Sequence, residues 1–187
     1  LRETLFNVLA HGHDDACAGP RVLDLFAGTG ALALEALSRG AAFAALVDQG
    51  AEARGLIRAN VDALGVAGVT AVLKRDATRL GPVAPFDPFT LVFCDPPYRK
   101  GLGEQALAGA LSGGWLAPGA LVVLEEASDA AVTLPAGLET LEERAAGDSR
   151  LVIARFGSHH IAGNANGPLD HVSLPAFRAL ADHVLRS

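Results

Sequence analysis

The run FCDPPY, from Phe93 to Tyr98, places side chains suited to holding a planar exocyclic amine. The Asp95 carboxylate and the carbonyl of Pro96, held in place by the Pro96–Pro97 pair, can accept the amine's N–H bonds while the Tyr98 ring stacks on the heterocycle. The chemistry such a grip serves is methyl transfer to a nucleobase amine.

Upstream, the apolar run RVLDL (Arg21 to Leu25) leads into FAGTGALALEALSRG. Strand, glycine turn and helix in that order make a nucleotide cradle. Gly28 can take the backbone angles of the tight turn, and Gly30 is expected to let the main chain approach a ligand. Leu32, Leu34, Ala36 and Leu37 mark the apolar side of the helix, with Gly40 as its stop.

Acidic residues follow four strand patterns: Asp24 in the first, Asp48 at the end of the second, Asp76 after the third and Asp95 after the fourth. Ligands of open α/β sheets bind at those carboxyl ends. Asp24 can meet a cationic ligand terminus, Asp48 can accept from both hydroxyls of a ribose, and Asp76 can accept from an adenine amine. Any one of them alone reads as a turn or helix-cap aspartate; as a set they read as a binding site. The glycine motif also fits GxGxxA, and Asp48 stands where a dinucleotide-binding acid would, so a nicotinamide-dependent oxidoreductase is an alternative. Hydride transfer has no evident use for DPPY.

The elements that must position these residues alternate. Strand patterns lie at Arg21 to Leu25, Phe43 to Val47, Thr70 to Leu73, Leu91 to Cys94 and Ala120 to Glu125; helical patterns lie at Ala51 to Leu64 and Glu104 to Leu111. Strand candidates at Leu138 to Arg144 and Arg150 to Phe156, joined by AAGDS, read as a terminal hairpin. The expected architecture is α/β, a doubly wound, mostly parallel sheet with a terminal antiparallel hairpin. An N-terminal helix is expected within 1–11, the main domain over 12–156, and a linker with a short amphipathic helix over 157–187.

With these motifs in place, the chain resembles the RsmD-type 16S ribosomal RNA guanine-N2 methyltransferases, a family of the Rossmann-like class I S-adenosylmethionine-dependent enzymes. RETLFNVL, VLDLFAGTGALALEALSRGA, LIRAN, the Asp76 region and CDPPY carry the resemblance, in the family's order, over about the first two thirds of the chain. The resemblance implies that Asp24, Ala27, Gly28 and Gly30 hold the methionine part of S-adenosylmethionine, Asp48 its ribose, and Asp76 with Ala77 its adenine. It implies that Asp95, Pro96, Pro97 and Tyr98 hold the target guanine, that Arg2 and Glu3 border the cofactor pocket, and that the partner is 16S rRNA or the small ribosomal subunit. DPPY is shared with adenine-N6 enzymes, which leaves an adenine-N6 methyltransferase and a non-catalytic S-adenosylmethionine-binding module as alternatives. A monomer is expected by analogy with enzymes of this class.

Composition bounds the reading. The 187 residues are 50% hydrophobic, enough for one sizeable core, and carry a formal net charge of −6. That charge is unusual for an RNA-binding surface, which draws affinity from phosphate contacts. The resemblance implies a basic hairpin before RETLF; this chain is expected to lack it, which makes Arg99 and Lys100 the nearest candidates for phosphate contact. Cys17 and Cys94 form no CxxC pair, so neither a disulfide framework nor a zinc site is indicated, and a reducing, cytoplasmic setting is expected. No apolar run reaches the ~20 residues of a membrane span. HGHDD and the tail residues His159, His160, His171 and His183 lack metal-site spacing and read as solvated histidines. The chain starts at Leu1 and has no Met, as a fragment or processed product would.

Overall fold

Strand β1 (Arg21–Leu25) buries Val22 to Leu25 without interruption, the pattern of a strand covered on both faces. β2 (Phe43–Val47), β3 (Thr70–Leu73), β4 (Phe89–Cys94) and β5 (Leu116–Ala127) join it in parallel. β6 (Leu138–Ala146) and β7 (Ser149–Phe156) form an antiparallel hairpin, with β7 antiparallel to β5. The order across the sheet is β3-β2-β1-β4-β5-β7-β6. This is a computed structural model, and it describes residues 19–157. The expected N-terminal helix, Arg2 and Glu3, Cys17, the histidine runs and the C-terminal helix pattern lie outside the described residues.

The strand pleat sorts side chains onto opposite faces of the sheet. Val22, Leu46, Leu91, Phe93, Leu121 and Val123 pack against helix α1 (Ala31–Ser38) and helix α2 (Ala51–Leu64). Leu23, Leu25, Val92, Cys94, Val122 and Leu124 meet the other face, where helix α3 (Leu102–Ser112) contributes Ala106, Leu107 and Ala110. Continuing the alternation by two residues puts Asp24, Asp48, Asp95 and Glu125 on the α1 side. Glu126 falls on the α3 side.

At the N-terminal ends of the strands, Phe43, Phe86, Phe89 and Trp115 close the sheet as an aromatic group. Trp115 is fully buried and donates its indole N–H to Gly81 O at 2.7 Å, a scaffold role. Cys94 is a buried thiol, 1% exposed, and burial pushes its ionisation up, so it is inert. Chain order reverses between β1 and β4, which leaves a crevice at their carboxyl ends.

Candidate functional site

That crevice is a cavity of about 190 Å³ lined by Asp24, Phe26, Ala27, Gly28, Thr29, Ala31, Leu32, Asp95, Glu125 and Leu151. Asp24 is 1% exposed and accepts one hydrogen bond, from Ala33 N at 3.2 Å. Burial raises its pKa well above the usual carboxylate range, and the nearby Asp95 and Asp48 charges add to the rise. A cation entering the cavity would stabilise the ionised form.

The glycine turn is fixed from several sides. Ala27 N donates to Val47 O, Gly30 N to Ala27 O, and Asn60 Nδ2 on α2 reaches Thr29 O at 3.1 Å. Gly28 has φ +60°, and a Cβ built there meets nothing within 4 Å, so its glycine leaves the cavity side open. Gly30 differs from expectation. A Cβ there would lie 2.8 Å from Leu46 Cδ2 and 3.4 Å from Ile57 Cγ1, so its missing side chain makes room for the core beneath the turn. Phe26, which lines the cavity, is held at φ +58°, a conformation a bulky residue rarely adopts.

Asp48 joins that turn to the next helix. Its Oδ2 accepts from Gly28 N at 3.0 Å and its Oδ1 from Gly50 N at 2.8 Å, leaving each oxygen a further lone pair. The buried Arg54 donates to Gln49 O at 2.7 Å and to Asp48 O at 3.4 Å, pinning the same loop. Asp76 caps a short 3-10 helix by accepting from Thr78 N at 2.9 Å and Thr78 Oγ1 at 2.7 Å. Those bonds, the side-chain one foremost, lower its pKa. Ala77 behind it is buried. Asp48, Asp76, Ala77 and Gly30 do not line the cavity, and neither do Pro96, Pro97 and Tyr98.

After β4 the chain places Asp95 exposed, Pro96 buried and Pro97 exposed. Tyr98 turns back toward β5 and β7, where its hydroxyl donates to Glu125 Oε1 and lies 2.8 Å from Ser149 Oγ. Desolvation and the Glu125 carboxylate raise the phenol's pKa, so it stays protonated. Arg99 has φ +63°, and its backbone N–H donates to Glu126 Oε1 at 2.8 Å, which also accepts from Ala127 N at 2.7 Å. Glu126 is 2% exposed and so braces the proline loop from below. The Arg99 side chain pairs with Asp129 at 3.0 Å in an exposed ion pair, so it is not a bare phosphate contact.

Glu125, Glu126, Asn60, Arg54 and Phe26 were not expected from the sequence. The first two had a signal, since ALVVLEE extends the β5 alternation to one carboxylate per face. Among the described residues no group of three or more His, Cys, Asp or Glu could hold a metal ion, and no helix is long and apolar enough to cross a membrane.

The model of a family described as "Conserved hypothetical protein 95" matches residues 1–155. Ribosomal RNA small subunit methyltransferase D of Escherichia coli K12 is 38% identical over 148 residues, covering 79% of this chain and 72% of that protein. A solved structure of a conserved hypothetical protein of Streptococcus pyogenes has a TM-score of 0.70 at 31% identity, covering 86% of this chain and 98% of that one. The N-methyltransferase NodS of Bradyrhizobium japonicum, in complex with S-adenosyl-L-homocysteine, has a TM-score of 0.61 at 17% identity, covering 83% and 85%; it speaks to the fold alone.

Proposed function

The chain belongs to the RsmD-type methyltransferases, the family described as "Conserved hypothetical protein 95", and we propose that it methylates the exocyclic N2 of a guanine in small-subunit ribosomal RNA. It is a class I S-adenosylmethionine-dependent RNA methyltransferase. The observation that carries the finer reading is that Asp24 and Asp95, from β1 and β4, line one cavity at the point where strand order reverses. The name of the Escherichia coli relative supports the RNA as substrate.

The lining of the cavity suits the methionine end of the cofactor. A destabilised buried carboxylate faces a place for a cation, and Gly28 leaves open space where any side chain would stand. Asp24, Ala27 and Gly28 would hold the methionine end, and Gly30 would shape the turn that presents them. Asp48 would meet the ribose with its remaining lone pairs, and Asp76 with Ala77 the adenine. Bound there, S-adenosylmethionine supplies an electrophilic methyl group on a sulfonium.

The chain's own residues then act on the amine. A guanine N2 lone pair is delocalised into the ring and is a poor nucleophile. Asp95 and the Pro96 carbonyl accept its N–H bonds, which favours a more tetrahedral nitrogen and stabilises the positive charge that grows on it. Asp95 or water takes the proton released. Pro96, buried, and Pro97 fix the carbonyl direction, so placement contributes much of the rate. The Tyr98 ring, tethered through its hydroxyl, offers a stacking surface worth ~1–3 kcal/mol to the base. The base must leave its stack or already be unpaired to reach these groups.

The test is incubation of the chain with S-adenosylmethionine and small ribosomal subunits from cells lacking the activity, followed by nucleoside mass spectrometry. N2-methylguanosine is the expected product. N6-methyladenosine, or cofactor binding without transfer, would overturn the substrate assignment.

A further inference from the structure

We propose that Glu125 is a specificity-determining residue of this site, accepting the N1–H of the target guanine beside the N2 amine held by Asp95. The inference rests on the guanine reading above and names the side chain that enforces it. Glu125 lines the same cavity as Asp95. Leu124 pairs with Cys94 in the β4–β5 register, so Glu125 and Asp95 each stand one residue beyond a paired position. Neighbouring strands run about 4.8 Å apart, which sets two carboxylates side by side along one edge of a ligand.

Guanine presents two adjacent kinds of donor on that edge, N1–H and the N2 amine. Adenine presents its N6 amine beside a bare N1 lone pair. A carboxylate next to Asp95 therefore gains a hydrogen bond from guanine and faces lone-pair repulsion from adenine. Glu125 is also held for this task. Its Oε1 takes the Tyr98 hydroxyl, whose oxygen in turn lies 2.8 Å from Ser149 Oγ, so one carboxylate oxygen is anchored and the other has its lone pairs to offer. Sites that hydrogen-bond a substrate N–H reject the analogue lacking it far more strongly than apolar pockets reject a methylene, because the buried partner is left unpaired.

The probe is 2-aminopurine, which keeps the 2-amine and lacks the N1–H. Transfer rates are measured on short single-stranded RNAs carrying one target guanine, 2-aminopurine or adenine, and on small ribosomal subunits, with S-adenosylhomocysteine affinity measured alongside. The wild-type chain is expected to favour guanine over 2-aminopurine by about 100-fold or more. Glu125→Gln keeps an oxygen for Tyr98 and offers an N–H to the bare N1. It should lose about 100-fold on guanine and on the subunits while holding or gaining rate on 2-aminopurine, with unchanged S-adenosylhomocysteine affinity. Equal wild-type rates on guanine and 2-aminopurine would overturn the assignment, as would a Glu125→Gln loss equal on both bases or matched by lost S-adenosylhomocysteine affinity. Wild-type transfer to adenine in place of guanine would instead overturn the proposed function beneath it.

Discussion

Asp24 and Asp95 share a cavity, yet different measurements should tell them apart. Asp24→Asn removes a charge-assisted partner of the cofactor cation and is expected to weaken S-adenosylhomocysteine binding about 10- to 100-fold by calorimetry. The same change should make the ligand-free protein more resistant to heat at neutral pH. The sign follows from the raised pKa, caused by burial and then by the Asp95 and Asp48 charges. A carboxyl held protonated by the fold lends stability that is complete below the ordinary carboxylate pKa and is lost as pH rises through the folded value. Wild type therefore loses stability toward neutrality through this group, and the asparagine variant does not. Thermal melts at pH 4 and pH 7 compare them. Asp95→Ala should behave in the opposite way, cutting transfer at least ~100-fold with S-adenosylhomocysteine affinity nearly intact. Equal loss of both would mean that Asp95 serves the cofactor.

Each element reaches the site through a local device, and these devices differ in how plainly the sequence displayed them. The bounds of β1, β2, β3 and α2 coincide with the apolar runs and helical stripe read from the sequence. The differences lie where tertiary contact overrides local propensity. β4 starts at Phe89, directly after a proline, because Phe89 N bonds Trp115 O at 2.8 Å. β5 begins at Leu116 and runs through Pro118 and Gly119, residues that read locally as a turn. α3 starts at Leu102 and includes Gly103, a poor helix former. A Cβ at Gly103 would lie 2.6 Å from Leu124 Cδ1 and 3.0 Å from Pro96 Cγ, so the helix needs glycine to approach the proline loop. The site's aspartates were legible because they sit at strand ends. Asn60 and Arg54 were not, because a side chain that bonds a distant backbone carbonyl leaves no periodic trace. The Gly30 finding is testable here: Gly30→Ala forces a side chain into φ +80° and against Leu46, and should cost at least about 1–2 kcal/mol in chemical denaturation. A neutral substitution would mean that the turn is looser than its packing implies.

For the molecule as a whole, the net charge of −6 sets how it can meet RNA. A protein that neutralises Z phosphates on a single strand loses log affinity with log salt at a slope of about −0.7Z. Arg99 is already paired with Asp129, and Lys100 is the exposed cation beside it on the proline loop. Binding of single-stranded RNA by this chain is accordingly expected to show a shallow slope, about −0.7 to −1.4 for one or two phosphates. Fluorescence anisotropy across a salt series measures it, and a slope steeper than about −5 would point to a basic surface beyond these two residues. The sheet order matters at the same scale. It brings a segment near residue 24 and one near residue 95 to the same end of neighbouring strands, which no local sequence pattern states. A crystal structure of the chain with S-adenosylhomocysteine tests that convergence most directly. The account predicts the ligand's amine at Asp24 and its sulfur facing Asp95 across the β1–β4 crevice. Ligand bound elsewhere, or its sulfur turned away from Asp95, would contradict it.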